Sequence, residues 1–267
     1  MPMSPQPKRA RLFVCALLLA GCDGPAAPRA GDALTVRTES AHLVYYSAPG
    51  DAADPAWQEG YYDWVTAALQ LNPGQKLEYH KYRNRAHLER MTGRGTNGFA
   101  EPGTRRFHTI WPRDNHEMVH VLVILELGHP PALFNEGVAV AHQMIPDEGV
   151  LYAQWNRRNV HAISAEYVAA GRVPPLAQLL ESPDFFRFDE ALTYPVAGSF
   201  VRFLIDRYGL ERFRSYLRGR SFDDGAEQTR AAFQAAYGRT LDTAWAEWRA
   251  FVADGAAAAA HQPGGAR

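Results

Sequence analysis

His116-Glu117-Met118-Val119-His120 is an H-E-x-x-H pentapeptide, and the stretch that follows, Pro131-Ala-Leu-Phe-Asn-Glu-Gly-Val-Ala-Val140, carries Glu136. On a helix, residues four apart share a face, so the imidazoles of His116 and His120 can reach one metal ion. Glu117 lies roughly 100° further round, beside them, where a carboxylate can hold and deprotonate a metal-bound water. The apolar run Val-Leu-Val-Ile-Leu after His120 continues the helix to about Leu127, and Gly128-His129-Pro130-Pro131 reads as stop and turn. From His120 to Leu127 the chain climbs roughly 10 Å, and a returning antiparallel helix descends roughly 7 Å to Glu136. A Glu side chain spans the remaining gap. Two His and one Glu with an open fourth position form the donor set of a catalytic zinc site, not of a closed structural one. Glu126, six residues beyond His120, points about 240° away and is a poor third ligand.

These motifs resemble those of the gluzincin, or peptidase MA-like, zinc metallopeptidases, whose pattern is HExxH, a short connection, then W-L-x-E-G-L-A. The likeness covers roughly residues 34–253, with specific motifs only at 116–120 and 133–139. Ala41-His-Leu-Val-Tyr-Tyr46 is similar to the family's opening strand. Gly98-Phe-Ala100 with Arg106-Phe-His-Thr-Ile110 is similar to its edge strand, and Tyr194-Pro-Val-Ala-Gly-Ser-Phe-Val-Arg-Phe-Leu204 to its helix after the site. Two departures bear on pocket shape: Leu133 stands in the Trp place, and Phe134 where the family has an aliphatic residue. The connection to Glu136 is also shorter than in thermolysin-like relatives. The resemblance implies that a Tyr or His from the helical half stabilises the oxyanion, which makes Tyr194 the first candidate and His161 the second. No carboxylate that could orient a ligand His is evident in the residues after Glu136.

The ends of the chain speak to location. Lys8-Arg9-Ala-Arg11 precedes the nine apolar residues Leu12-Phe-Val-Cys-Ala-Leu-Leu-Leu-Ala20, a pattern of a secretory signal and too short to span a bilayer. Leu19-Ala20-Gly21-Cys22 resembles the bacterial lipobox, in which the Cys becomes the lipid-bearing first residue; an ordinary signal peptide is the alternative. Residues 1–21 are then signal, 22–33 a Pro/Gly/Ala tether, 34–253 the catalytic domain, and 254–267 a disordered tail. The expected location is the bacterial envelope, facing the periplasm, with Asp23 favouring the inner membrane. With Cys15 removed and Cys22 acylated, both cysteines are accounted for and the domain has no disulfide. A net charge of −1 argues against nucleic acid as a partner, and 46% hydrophobic residues suit a buried core.

Along the domain, 34–47 reads as extended chain, Asp54-Pro55 opens a helix to about Leu71, and 77–83 and 104–111 read as strands around a short helix at 86–91. From Asp114 onward the pattern predicts helices at about 114–127, 131–143, 150–170, 191–208, 210–218, 224–236 and 241–253. Trp57, Trp64, Trp245, Trp248 and Phe251 read as core, and His42, His80, His87, His108, His129 and His142 as surface or satisfied core residues. The expected fold is α+β and zincin-like: a small N-terminal mixed sheet with helices, then a mostly helical half, with zinc at the junction. The expected activity is hydrolysis of a peptide or protein substrate. Zinc is held by His116, His120 and Glu136; Glu117 is the base and Tyr194 the oxyanion donor. The substrate would lie along the strand at 104–111. An endopeptidase is favoured because the Gly-x-Met-x-Asn loop of gluzincin aminopeptidases is absent. The alternative from another class is a non-catalytic zinc-binding envelope lipoprotein that serves as a binding module. Oligomeric state is not legible.

Overall fold

The computed structural model describes residues 31–145, 149–150 and 152–260. The expected signal peptide, the Cys22 lipidation site, most of the tether and residues 261–267 lie outside the described residues. The chain is a mixed α+β protein in which a small mixed sheet precedes a helical half. The sheet order is β1 (Val36–Glu39), β2 (Leu43–Ser47), β3 (Leu77–Lys81), β5 (Arg106–Thr109), β4 (Gly98–Ala100). β2, β3 and β5 run parallel, with β1 and β4 antiparallel at the two edges. Alternation decides the faces: Leu77 and Tyr79 of β3 are fully buried, while Glu78 and His80 between them are half-buried on the opposite face.

Helix α1 (Pro55–Leu69) crosses from β2 to β3. The Asp54 carboxylate caps it by accepting from Trp57 N at 3.2 Å, and Pro55 occupies the first turn, where no N–H is needed. Its Tyr61, Val65 and Leu69 enter the core, each burial of this kind being worth about 1.5–3 kcal/mol. Helix α2 (Arg85–Thr92) leads to β4. Next comes α3 (Glu117–Glu126), which packs under β4 and β5 on one side and against α4 (Ala132–Ala141) on the other. Being covered on both sides, α3 is apolar nearly all round: Met118, Val119, Val121, Leu122 and Val123 are buried.

Helix α4 lies against α8 (Glu190–Tyr208), and two glycines set the spacing. A Cβ on Gly137 would lie 2.8 Å from the Ala197 carbonyl oxygen, and one on Gly198 2.4 Å from Val140 Cγ1. The backbones therefore approach more closely than any larger residues allow. The departures from the family motif at Leu133 and Phe134 fall in this core and not in the cleft: both are fully buried, and Phe134 packs on Tyr216 at 4.6 Å.

Several expected elements change. The segment 34–47 is two antiparallel strands and not one extended run. The helix expected over 150–170 begins only at α5 (Val160–Ala169); before it, β6 (Gln154–Trp155) and β7 (Arg158–Asn159) form a hairpin. Asn156 and Arg157 at its tip have φ of 50° and 64°, the pair of left-handed residues a two-residue turn requires. Two short helices, α6 (Leu176–Leu179) and α7 (Ser182–Phe185), fill the Pro-punctuated stretch before α8. After α9 (Leu210–Leu217) and α10 (Ala226–Tyr237), α11 (Leu241–Ala260) continues past residue 253. Trp245 and Trp248 are buried and Trp57 and Trp64 pack at the core margin, but Phe251, expected inside, is 45% exposed. Among the described residues no helix is long and apolar enough to cross a membrane.

Candidate metal centre

Helix α3 starts later than its hydrophobic pattern suggests. His116 is its cap residue, and Glu117 is the first helical residue. Asp114 makes that start: one buried carboxylate oxygen accepts from the backbone N–H groups of His116, Glu117 and Met118 at 3.1, 2.8 and 3.2 Å. Asp114 is fixed in turn by Gln58, whose amide donates to its carbonyl at 2.6 Å and accepts from its N–H at 2.9 Å. Removing such a cap typically costs about 1 kcal/mol. Here it would also loosen the first turn, on which two of the site's side chains sit.

From that turn His116 and His120 aim their Nε2 atoms at one point, 3.1 Å apart. Glu136 reaches the same point from α4, its Oε2 3.2 Å from His116 Nε2 and 3.3 Å from His120 Nε2. These three residues form a group that could hold a metal ion. The near-equilateral triangle fits one: donors held 2.0–2.1 Å from a tetrahedral ion stand roughly 3.3–3.4 Å apart. Behind the ligands, His116 Nδ1 meets the Gln143 amide oxygen at 3.3 Å, and Asn135 Nδ2 donates to Glu136 Oε1 at 3.2 Å. His120 Nδ1 is buried with no hydrogen-bond partner, so on that side of the ring packing alone holds it.

The charges of these side chains act on one another. Burial opposes ionisation of Glu136, but His120 and His116 outweigh it and hold the carboxyl well below its usual range. Burial also works against protonated His116, yet its hydrogen bond to Glu136 and the nearby Glu117 charge lift it to about 9. Glu117 makes no contact of this kind. Burial, helped by Asp114 and Glu136, outweighs the attraction of the two histidines and raises it to about 7, where a carboxylate can act as a base near neutrality.

Glu117 faces the sheet edge. A Cβ on Gly98 would stand 2.7 Å from Glu117 Oε1, so the strand passes directly over the carboxylate. The expected docking strand at 104–111 is corrected here: β5 is paired on both sides, by β3 and β4, and has no edge to offer. The edge is β4. Ile110 N donates to Asn97 O and Glu101 N to Arg106 O, both at 3.0 Å, so position 99 also turns its backbone groups toward β5. Those of Gly98 and Ala100 turn outward.

The ligands open into a cleft of about 900 Å³ lined by β4, the turn before α3, the 154–159 hairpin and the start of α8. Tyr194 lines it, its ring stacked 5.9 Å from that of His116. Burial first, then the Glu136 and Glu117 charges, keep that phenol protonated. His161, the second oxyanion candidate, is elsewhere: its Nδ1 meets Ser199 Oγ at 2.8 Å, a hydroxyl that also accepts from Trp248 Nε1. Glu126 is exposed and does not line the cleft.

The structure thus brings His116, His120, Glu136, Glu117 and Tyr194 into one place. Sequence reasoning missed Gln143, His129, Asp114 and Gly98. Gln143 had a readable signal, lying seven residues, two helical turns, after Glu136. His129 had none: it looked like part of a turn, and it lines the cleft. His142, by contrast, is a satisfied core residue, buried and bonded through Nδ1 to the Val138 carbonyl at 2.8 Å. No family model matches the sequence, and no curated protein matches it closely enough to count as a relative.

Proposed function

We propose that this protein is a zinc-dependent metallopeptidase of gluzincin type with a zincin-like fold, acting as an endopeptidase on peptide or protein substrates in the bacterial envelope. The observation that carries the reading is the convergence of His116 Nε2, His120 Nε2 and Glu136 Oε2 within 3.1–3.3 Å, with the Glu117 carboxylate between them and an open strand edge. Two imidazoles and one carboxylate suit zinc, which when bound supplies a Lewis acid for the scissile carbonyl and acidifies a water. A site that merely stores metal has no use for a second, non-ligating acid beside the three donors, and this favours catalysis over a non-catalytic zinc module.

The chain's own residues do the rest. An extended substrate adds to β4 through the outward backbone groups of Gly98 and Ala100, which lays its backbone across Glu117. Glu117 takes a proton from the attacking water and later delivers it to the leaving amine nitrogen. Tyr194 donates its hydroxyl to the oxygen that gains charge. Anchoring through an acylated Cys22 would hold the domain at the periplasmic face of a membrane.

The test separates holding from chemistry. Glu117→Gln should keep near-stoichiometric zinc by elemental analysis and lose peptide cleavage by orders of magnitude. His116→Ala, His120→Ala or Glu136→Ala should lose both. Wild-type zinc content and turnover in Glu136→Ala would remove the third ligand and the gluzincin assignment with it; an active Glu117→Gln protein would remove the mechanism.

A further inference from the structure

Asp32, three residues before the first strand region begins to form, is only 3% exposed, and it is clamped. Its carboxylate accepts from Arg90 Nε at 3.0 Å and from the Arg83 guanidinium at 3.4 Å, and its carbonyl accepts from His87 Nε2 at 2.7 Å. Arg83 also donates to the Gly31 carbonyl at 2.8 Å. Buried His87 is oriented for this by the Arg83 backbone N–H, which donates to its Nδ1 at 3.1 Å. Charge-assisted hydrogen bonds from two guanidiniums, largely out of water, are strong ones. Residue 32 is therefore a fixed point from which the length of the preceding tether is measured.

That point lies at the end of the sheet where β2, β3 and β5 all finish, with Ser47, Lys81 and Thr109 in register. Antiparallel β1 begins at the same end, Val36 opposite Ser47, and so does β4, Gly98 opposite Thr109. The segment 82–97, which contains α2, therefore leaves and returns at this end. It carries Arg83, Arg85, Arg90 and Arg94 against Glu89 alone, in a chain whose net charge is −1. Asp32 offsets one of these arginines. Nearby, Lys81 pairs with Asp51 and Arg113 with Asp54, which cancel. Arg83, Arg85 and Arg94 are exposed, and Trp111, two residues past β5, is 53% exposed. The opposite end of the sheet, around His42, is acidic: Glu39, Glu59 and Asp63 stand there with Lys76.

We infer that this end of the domain, α2 and its flanks together with Trp111, is a docking surface for a bilayer rich in anionic phospholipid. It seats the domain with its cleft bordering the membrane. The inference goes beyond the peptidase reading and rests on the Cys22 anchor proposed with it. From Cys22 to Asp32 the chain spans at most roughly 35 Å, whereas a domain of this length is roughly 45 Å across. So short an anchor cannot let the acidic end face the lipid, and the end nearest the bilayer is the one that carries the arginines. Guanidiniums match phosphate oxygens in pairs, and each basic residue near an anionic surface raises binding about fivefold. An exposed indole suits the headgroup layer. Arg94, Asn97 and Trp111 also line the cleft, so a domain seated this way presents its site to the membrane-proximal parts of envelope proteins.

The test uses the mature chain from residue 22 with Cys22→Ser, so that no acyl chain contributes, and measures its partition onto sedimented vesicles at low salt. The vesicles are either phosphatidylcholine alone or an equal mixture with phosphatidylglycerol. Partition onto the mixture should be at least about tenfold higher, and about 0.5 M salt should abolish the difference. Arg85→Glu, which places an acid in the first turn of α2 where the helix tolerates it, should lower partition onto the mixture at least about fivefold. Arg105→Glu makes the same change in net charge at the opposite end of the sheet and should leave partition within about twofold. Equal partition onto both vesicles overturns the docking surface, as does an equal loss in the two variants, which would assign the effect to net charge and not to this face. Either result leaves an acylated, membrane-held wild type and its peptidase activity standing. Native protein that begins elsewhere than residue 22 and carries no acyl chain removes the anchor and the seating with it.

Discussion

On the proposed peptidase reading, Gly98→Ala should remove most of the activity while leaving the fold and the capacity to bind metal in place. The added Cβ would stand 2.7 Å from Glu117 Oε1, 2.8 Å from its Cγ and 3.0 Å from the His108 carbonyl oxygen. Ordinary contact lies near 3.5 Å, so the Glu117 side chain must retreat by roughly 0.7 Å or more. The side chain is flexible and can move at little cost to stability. The strand pair adjusts by a few tenths of an ångström, and losing a glycine gives back about 0.4–1 kcal/mol through the unfolded state. Net stability should therefore change by less than about 1 kcal/mol. Catalysis is less forgiving: misplacing a reacting group by about 1 Å costs on the order of 10²-fold, or about 2.7 kcal/mol of barrier. The assay is kcat and KM on a cleaved peptide, with zinc content and Tm on the same preparation. The expected result is kcat/KM down about 100-fold with full zinc and a nearly unchanged Tm. Wild-type kcat/KM would refute the claim that the strand above Glu117 dictates where its carboxylate sits. Loss of zinc would refute the claim that Gly98 acts on the base and not on the ligands.

Tyr194→Phe should lower kcat by about 10²–10³ with little change in KM or zinc content, the loss seen when one oxyanion donor is removed; a fully active Phe variant would reduce Tyr194 to its packing on His116 and Trp155. Cys22→Ser should release the protein from the membrane into the soluble periplasmic fraction, and a wild-type protein that is already soluble with a mature N-terminus elsewhere than residue 22 would end the lipoprotein reading.

The His116, His120 and Glu136 group, which could hold a metal ion, is legible in the sequence because its signal is local. The spacing from His116 to His120 is one helical turn, and a helix, a turn and a returning helix bring Glu136 back whatever the rest of the chain does. The strands at 43–47, 77–81 and 106–109 were legible from alternation and aromatic content, and α1 from Asp54-Pro55 and its Trp/Tyr spacing. The hairpin at 154–159 was not. Its strands have two residues each, too few for a period to show, and its turn is Asn156-Arg157 and not the Asn-Gly that announces such turns. Three-residue β4 is equally silent as a pattern, and only the family likeness hinted at it. The stacking of His129 on Phe222 and of Phe222 on Phe186 lies further out of reach, since the three come from three separate connections.

These failures share a physical cause that bears on how such a site is built. The donors of the centre sit on two adjacent helices, and their spacing is read in one dimension. What surrounds this donor group comes from elsewhere, through residues that contribute closeness in place of chemistry. Gly137 and Gly198 let α4 settle onto α8, and α8 carries Tyr194 to the ring of His116. Gly98 lets the strand edge pass over Glu117, and Gly128 lets the turn after α3 close onto the Leu217 carbonyl. A glycine offers no side-chain functional group, so a search for reactive side chains passes over it. Its contribution is a distance between two backbones, and that appears only when both are in place. A chain could therefore keep His116, Glu117, His120 and Glu136 and still lose its activity through a single added methyl group at residue 98.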